Sequence, residues 1–399
     1  MARLGALKEV FNTSNLLLLL GALYYFHWYD VSISSIERFS TTILFLILAI
    51  SAIYAVYAVF HYKMPRVFLI IALMLFMFLV YGIISMLTYE DIVIAFSGTT
   101  IKKATYMVAV FRSFLPVFAF YVFSRRGLVT EKSMLYWTVI FFLTSFLVYY
   151  FSRQYFIRND DTADLTYNVG YLFVALIPFC FLFKRPLLKY SFLLVNMVCL
   201  FLCMKRGAIV CGLLSAAMVV YKDFESVERG KFFRVLVLII FIVAGAYLLK
   251  DYYLSSSYFQ RRLEATLQGN SSGRGGLIDG FRHYFFYETS LFQILLGSGA
   301  DATLRIGQNY AHNDWWELLI DQGLLGFTIY LLFWIQMFKS LQRTKHDSTT
   351  YSLFSCCFAV LFLKTFISMS YSMIPIPTAM CLGYCLAQDR PYVSSVNSV

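Results

Sequence analysis

The chain has 399 residues, of which 60% are hydrophobic, 19% aromatic and 14% charged, and its formal net charge is +11. Soluble domains carry about a quarter charged residues, so a chain this poor in charge cannot cover a soluble surface of this size. Together with a mean hydropathy of +0.69, these values exclude a soluble globular protein and indicate a membrane protein with many spans.

Apolar runs long enough to cross a bilayer recur along the whole chain. Backbone amides inside lipid must be paired within their own segment, so these runs are predicted to be helices. We predict an all-α polytopic membrane protein of about twelve spans, forming a single domain over residues 1–399 with one large outer loop, 251–311, that contains short helices. The spans lie near residues 14–32, 40–61, 67–88, 104–123, 135–151, 168–183, 190–204, 208–221, 234–250, 313–337, 351–370 and 374–388.

Basic residues fix the expected orientation, because short cytoplasmic loops of membrane proteins carry an excess of Lys and Arg. With both termini in the cytoplasm, every short inner connection is basic. The inner connections are then 1–13, 62–66, 124–134, 184–189, 222–233, 338–350 and the C-terminal tail. The loop 251–311 falls on the opposite, outer side.

Lys205 and Arg206 form a basic pair in a minimal outer turn between two apolar runs. Charge at the end of a tight helical hairpin is costly unless an anion meets it. The pair is therefore a candidate for contact with an anionic substrate. The alternative is that both side chains reach lipid phosphates.

The stretch 270–327 is the longest break between apolar runs. Ser271 or Ser272 can cap a helix over about 275–288, which would set Arg274 beside free amides that favour an anion. Arg can also grip a phosphate with two parallel hydrogen bonds, although a solvated loop residue is the simpler reading. Arg282 follows in the same helix.

Gly297 and Gly299 follow a short apolar patch in the same stretch. Glycines at this spacing predict a tight turn or a close approach of backbone to a ligand. We count both residues as candidate ligand contacts.

The stretch re-enters an apolar run through Ala311-His312-Asn313. Asp314 and Glu317 have the spacing of a capping box, which would put His312 just outside the membrane-embedded helix. An imidazole there can act as a general base near neutral pH, or it can be ordinary interfacial polarity.

Acidic residues continue into this span. Asp314, Glu317 and Asp321 share one helical face and need partners inside the membrane. The candidate partners are Arg206, Lys364 and Arg112. Gly323 and Gly326 predict a small-residue face for close helix packing.

No metal site or disulfide framework is expected. All eight cysteines fall in apolar runs, where they are predicted to be small buried residues. The acidic stretch Asn159–Asp164 could bind Mg²⁺ or Mn²⁺, but a solvated loop is favoured.

Four features in order resemble the superfamily of O-antigen ligases and polymerases, the Wzy-type membrane glycosyltransferases. They are Lys205-Arg206-Gly207-Ala208, Ser272-Gly273-Arg274, the Leu295–Gly299 turn, and Ala311-His312-Asn313 with Glu317, Gly323 and Gly326. The resemblance covers residues 190–330.

The resemblance implies transfer of a glycan from undecaprenyl diphosphate on the periplasmic side of the bacterial inner membrane, with inversion and without a metal or cofactor. Arg206, Arg274 and His312 would be catalytic. Lys205, Arg282, Asn313, Glu317, Lys364, Gly297 and Gly299 would bind substrate. Tyr284, Phe285, Phe286, Trp315 and Trp316 would stack on sugars or lie at the membrane interface.

Two acceptors fit these motifs, and we favour a polymerase, whose acceptor is another lipid-linked glycan. A ligase would use lipid A–core instead. The expected partners are the lipid-linked oligosaccharide, the acceptor, membrane lipids and, as a further candidate, a chain-length regulator, with no nucleic acid. A transporter is the third reading, because charged residues within spans often mark proton relays.

Overall fold

A computed structural model gives the fold. It describes residues 12–28, 34–94, 100–103, 105–159, 168–225 and 274–389, together with ten separate positions between 235 and 264. The predicted span at 234–250, the acidic residues 160–164 and the serines at 271 and 272 lie wholly or largely outside the described residues.

The first half of the chain is helical except for one small hairpin. Its helices are α1 (Thr13–Trp28), α2 (Ser34–His61), α3 (Arg66–Thr88), α4 (Thr105–Arg125), α5 (Glu131–Asn159), α6 (Gly170–Leu176, continued by a 3₁₀ segment Ile177–Leu182), α7 (Pro186–Leu202) and α8 (Arg206–Glu225). Between α3 and α4, β1 (Ile92–Val93) pairs antiparallel with β2 (Thr100–Ile101). The all-α prediction did not include this hairpin.

The second half begins with three short helices that precede the long ones. Its helices are α9 (Arg274–His283, continued by a π turn Tyr284–Glu288), α10 (Leu291–Leu296), α11 (Ala302–Gly307), α12 (Asp314–Arg343), α13 (Ser348–Ile367) and α14 (Ile376–Ala387). The helix predicted over 275–288 is therefore present.

Seven of the described helices are long and apolar enough to cross a membrane. They are α2, α3, α4, α5, α8, α12 and α13. Shorter apolar helices occur at 13–25, 170–182, 186–202 and 376–387. Each predicted span other than 234–250 thus coincides with a helix, and the protein is an α-helical, multi-pass membrane protein.

The centre of the bundle is formed by α14, which is buried along its whole length, and by residues 113–123 of α4, which are buried throughout. Gly383 of α14 lets the two helices meet, because a Cβ there would lie 2.6 Å from the Cβ of Phe120. The surrounding helices keep large apolar side chains on the outside, as Phe60 of α2 and Leu69 of α3 illustrate. An apolar exterior around an apolar core is what a lipid solvent permits.

The eight cysteines are all free and buried, as predicted.

The two ends of the bundle differ in charge. The connections α2–α3, α4–α5, α6–α7 and α12–α13 meet at one end, called here the basic end. They or the adjoining helix turns carry Lys63, Arg66, Arg125, Arg126, Lys132, Lys184, Arg185, Lys339, Arg343 and Lys345. At this end Lys189 of α7 pairs with Asp223 of α8, and Tyr190 donates to the same carboxylate at 2.9 Å. The opposite end contains the cavity described next and is called the cavity end.

Candidate functional site

A cavity of about 320 Å³ opens at the end of the bundle opposite the basic connections. Residues from α1, α4, α6, α13 and the connections before α8, α12 and α14 line it. They are Tyr24, Tyr25, Arg112, Asn168, Tyr171, Leu172, Lys205, Tyr310, His312, Lys364, Ser368, Met369, Met373, Ile374 and Pro375. Three cationic side chains and one imidazole thus share a single cavity with an apolar wall.

Lys205 reaches the cavity from the tight turn between α7 and α8. Met204 has a left-handed backbone with φ 51°, which lets the chain reverse before α8 begins at Arg206. Gly207 makes room for the phenol of Tyr171, because a Cβ there would lie 2.5 Å from its oxygen. Arg206 is half-buried next to Lys205 but is not among the residues that line this cavity.

One wall of the cavity is the loop Ser368–Pro375 between α13 and α14. Arg112 Nη2 donates to the Ser372 carbonyl at 3.1 Å, and Lys364 Nζ donates to the Met373 carbonyl at 2.8 Å. Arg112 also donates to Tyr24 Oη at 2.8 Å. The cations therefore hold the loop in place while facing the cavity, and Lys364 lies 4.9 Å from the ring centre of Tyr171.

Asp314 fixes the same loop from α12. Its carboxylate accepts from the Ser370 amide at 2.8 Å and the Tyr371 amide at 3.2 Å. Tyr330 donates to it at 2.5 Å. Asp314 was predicted to need a cation, and Lys364 interacts with it electrostatically, but its described hydrogen bonds go to backbone amides and a phenol.

His312 occupies a strained position between two anchored residues. Its φ is 51°, a conformation that costs a non-glycine residue energy and is enriched at functional sites. On one side, the Ala311 amide donates to Glu317 Oε2 at 2.7 Å. On the other, Asn313 caps α12 by accepting from the amides of Trp315 and Trp316 at 3.0 and 3.3 Å.

The capping box predicted from Asp314 and Glu317 is wrong. Asn313 is the N-cap of α12, so Glu317 is free to turn toward the preceding segment, where Thr303 Oγ1 donates to it at 2.6 Å. Asp321 accepts from the Thr303 amide at 3.2 Å. These two carboxylates tie α12 to α11, and their described hydrogen bonds do not go to Arg206, Lys364 or Arg112.

Gly297 and Gly299 form a tight turn that packs against a break in α12. Gly323 has φ 65° and ψ −161°, so the helix is interrupted there. The close packing predicted at Gly323 is made with the backbone of Leu295 and Gly297, at the end of the short α10. The amides of Ser298 and Gly299 donate to the carbonyls of Ile320 and Asp321 at 2.8 and 3.0 Å. In a regular helix these carbonyls would accept from residues four positions later, so the turn replaces hydrogen bonds lost at the break.

Arg305 holds this glycine turn from the other side. Its guanidinium donates to the Ser298 carbonyl at 2.9 Å and to the Ala300 carbonyl at 2.5 Å. It also stacks 4.0 Å from the ring centre of Tyr89. The close partners of Gly297 and Gly299 are thus protein backbone, Arg305 and Tyr89.

Two titratable groups near the cavity are strongly affected by burial. Burial raises the pKa of Asp301 from 3.8 to about 7, although Arg305 partly offsets the effect. Burial also raises the pKa of the Tyr310 phenol, and the nearby carboxylates of Asp301, Glu317 and Asp321 raise it further. Tyr310 therefore presents a neutral hydroxyl to the cavity at neutral pH.

Arg282 and Trp315 lie apart from the cavity lining. Arg282 is 58% exposed and pairs with Asp279 at 3.4 Å on α9. Arg274 begins α9, and its side chain is outside the described residues. Trp315 packs between α12 and α13 and donates to Thr365 Oγ1 at 2.9 Å.

The remaining aromatic candidates divide between interior and surface. Phe285 is buried, and Tyr284 binds Ser298 Oγ at 3.0 Å. Trp316 packs with Phe285, whereas Phe286 is exposed.

Sequence reasoning missed the contribution of the first half of the chain. Tyr24, Tyr25, Asn168 and Tyr171 line the cavity, but a tyrosine in an aromatic-rich apolar run carries no distinguishing signal. Arg112 did carry one, because an isolated cation within an apolar run requires a polar partner. Within the described residues, no cluster of three His, Cys, Asp or Glu side chains could hold a metal ion.

The chain matches none of the known protein-family models with which it was compared, and comparison with curated proteins gives no match either. Hypotheses about its function therefore rest on the cavity and on the motifs of the sequence.

Proposed function

We propose that this protein is a glycosyltransferase of the bacterial inner membrane that acts as an O-antigen polymerase. It would transfer a glycan from undecaprenyl diphosphate to the terminal sugar of another lipid-linked glycan. The observation that carries the proposal is the cavity that gathers Lys205, Lys364, Arg112 and His312 at one end of a membrane bundle. The resemblance of residues 190–330 to the O-antigen ligase and polymerase superfamily supplies the reaction.

The cations suit a diphosphate leaving group. Negative charge grows on the diphosphate as the glycosidic bond breaks, and preorganised cations in a site of low dielectric stabilise such charge. An ammonium group has three N–H donors, and the hydrogen bond to Met373 uses one of those on Lys364. Lys205 is the second ammonium, placed at the cavity by the α7–α8 turn.

His312 is the proposed base. Its imidazole would take the proton of the acceptor hydroxyl as that oxygen attacks the anomeric carbon from the face opposite the diphosphate, which inverts the configuration. The backbone of His312 is held in place at the cavity, because its φ is positive and both neighbouring residues are hydrogen-bonded to α12. The imidazole therefore starts from a fixed Cα position. Arg206, one residue beyond Lys205, and Arg274, the first residue of α9, are proposed to complete the diphosphate site.

The apolar wall favours a lipid-linked donor over a soluble sugar nucleotide. Leu172, Met369, Met373, Ile374 and Pro375 line the cavity beside the cations. A polyprenyl chain next to its diphosphate needs this combination of apolar surface and positive charge, whereas a soluble nucleotide needs polar groups that recognise a base.

The proposed topology has twelve spans, with both termini in the cytoplasm and the cavity facing the periplasm. The positive-inside rule places the basic end in the cytoplasm. The chain reaches the basic end at the close of α8 and is at the cavity end again by α9. This supports the proposed crossing between Glu225 and Arg274, for which the apolar run 234–250 is long enough.

A ligase is the alternative within the same chemistry, since it differs only in using lipid A–core as acceptor. A transporter has less support. The buried carboxylates of Asp314, Glu317 and Asp321 bind backbone amides and hydroxyls that join elements of the fold, which accounts for their presence without a proton relay.

Deletion of the gene followed by complementation tests the proposal. A polymerase deletion leaves single repeat units on the lipopolysaccharide core, a ligase deletion leaves bare core, and unchanged polysaccharide would contradict both. The banding pattern of lipopolysaccharide on a gel distinguishes the three results.

Variants then test the cavity. His312→Asn removes the base but keeps a residue that tolerates φ > 0, while Lys205→Gln and Lys364→Gln remove charge and keep a donor. Each is expected to lower glycan transfer at least 10-fold, as are Arg206→Ala and Arg274→Ala. Lys102→Gln, an exposed cation between β2 and α4, is the matched control and should retain activity. Normal banding in the three cavity variants, at normal protein levels, would refute the proposal.

A further inference from the structure

The segment from the π turn to the end of α10 carries an exposed apolar surface at the cavity end. Phe286, Tyr287, Leu291, Phe292 and Leu295 are all exposed, with Leu291 at 74% and Phe292 at 67%. A contiguous patch of large apolar side chains is unusual on a surface that faces water. We call this set the α10 patch.

The α10 patch is held rigidly by the rest of the segment. Ser290 and Gln293 form a reciprocal capping box at the start of α10. On the inner side, Phe285 and Ile294 pack with Phe281 and Ile320 in a small core between the short helices and α12. The patch is thus the outward side of a folded element, so it cannot be buried by a small rearrangement.

Two independent contacts show how deep α10 reaches along the bundle. Tyr81 of α3 donates to the Leu296 carbonyl, and Tyr81 precedes the end of α3 at Thr88 by about 10 Å at 1.5 Å per residue. Gly323, whose added Cβ would touch Leu295 and Gly297, lies about 13 Å into α12 from Asp314. Measured along either helix, the end of α10 thus lies about 10–13 Å from the cavity end.

This depth lies inside the apolar layer of a membrane. The 23 residues of α3 span about 35 Å, only slightly more than the roughly 30 Å of a hydrocarbon core. The end of α10 therefore lies several ångströms below the surface of the apolar layer. The outer turns of α3 above Tyr81 already present Ile84 and Leu87 to the outside, so the α10 patch lies beside a face that lipid covers.

Charged side chains precede α10 in the chain, on α9 and, with Glu288, at the end of the π turn. Asp279 and Arg282 form an exposed pair on α9, and His283 pairs with Glu288 at 3.1 Å. The exposed side chains are thus charged on α9, mixed in the π turn, where Glu288 follows Phe286 and Tyr287, and apolar at Leu291, Phe292 and Leu295 of α10. This order fits an element that enters a membrane from its surface, with polar groups at the headgroups and apolar groups in the acyl chains.

We propose that the α10 patch inserts into the acyl region of the membrane leaflet at the cavity end and anchors the α9–α11 segment beside the cavity. Lipid, rather than a protein partner, covers the α10 patch. The patch lies at the depth of the apolar layer along α3 and α12, and it is continuous with the exposed face of α3. The Gly297–Gly299 turn, which follows α10, then attaches the inserted element to α12 at the break at Gly323.

Spin labelling of the full-length protein in lipid nanodiscs tests this inference. Phe292→Cys and Leu291→Cys would carry a nitroxide. Phe76→Cys, on the exposed face near the middle of α3, is the lipid-exposed reference, and Asp279→Cys is the water-exposed one. The eight native cysteines are buried, and wild-type protein taken through the same labelling reaction gives their background. Power saturation with oxygen, which partitions into lipid, and with a water-soluble nickel chelate reports the environment of each label.

Labels at 291 and 292 are expected to be several-fold more accessible to oxygen than to the nickel chelate, as at position 76, whereas the label at 279 should show the reverse. Equal or greater accessibility to nickel would overturn the proposal. Protection from both reagents, with dipolar broadening between labelled copies, would also overturn it by showing a protein interface. The readout does not depend on glycan transfer, so its result is separate from that of the proposed function.

Discussion

Replacing Asp301 with Asn should stabilise the protein at neutral and alkaline pH. Asp301 is 2% exposed, and its Oδ1 accepts no hydrogen bond within the described part of the chain. Burial raises its pKa from 3.8 to about 7, so the folded protein favours the neutral carboxyl. Its backbone φ of 54° suits Asn, which tolerates the left-handed region better than most residues.

The sign of the pH dependence follows from proton linkage. Between the pKa of the unfolded chain and that of the folded protein, the folded state binds more protons, so stability falls as pH rises. The contribution of Asp301 is fully present below pH 3.8, declines up to about pH 7 and is constant above it. At about 1.4 kcal/mol per pKa unit, Asp301 lowers the free energy of unfolding by at most about 4 kcal/mol between acidic pH and pH above 7.

Thermal unfolding in detergent between pH 4.5 and 8.5 measures this effect. Asp301→Asn should raise the apparent Tm over wild type by several degrees at pH 8, with a smaller difference at pH 5. Asp279→Asn, which removes an exposed carboxylate of α9, is the control and should change little. A difference that does not grow with pH, or an Asn variant less stable than wild type at pH 8, would refute the reasoning.

Three further changes probe the elements around the cavity. Gly323→Ala should lower the free energy of unfolding by several kcal/mol, because its Cβ would lie 2.5 Å from the Gly297 amide at a positive φ. Gly276→Ala on α9, where a Cβ meets open space, is the control and should be neutral or stabilising. Equal melting temperatures of the two variants would contradict this prediction. Asp314→Ala leaves the Ser370 and Tyr371 amides and the Tyr330 phenol without their acceptor. In denaturant titrations it should lower the free energy of unfolding by about 2 kcal/mol or more beyond the loss caused by Tyr330→Phe. A smaller difference would show that Asp314 does not hold the Ser368–Pro375 loop. Arg305→Gln removes two hydrogen bonds from a charged group and a cation–π contact. We therefore expect about 2–4 kcal/mol of destabilisation in denaturant titrations, and wild-type stability would oppose it.

Much of the helical framework could be predicted from hydropathy. Each apolar run must satisfy its own backbone in lipid, so its length and position nearly define a helix. Local chemistry was less reliable at the helix ends, as α12 shows. Asp314 and Glu317 had the spacing of a capping box, but Asn313 caps the helix and Glu317 binds Thr303 instead.

Candidate cations could also be recognised from the sequence, because Lys205, Lys364 and Arg112 occupy costly positions in or beside apolar runs. Their meeting in one cavity with His312 could not. These residues come from α4, α13 and the connections before α8 and α12, and local sequence does not specify how such distant elements pack.

The sequence by itself determined that this is a helical membrane protein with basic connections and a polar stretch before α12, because hydropathy and charge act locally. Only the tertiary structure decided that Gly323 breaks α12 and that the Gly297–Gly299 turn completes its hydrogen bonds. It also decided which cations face the cavity. Both depend on contacts between residues far apart in the chain, and these contacts exist only once the helices have packed.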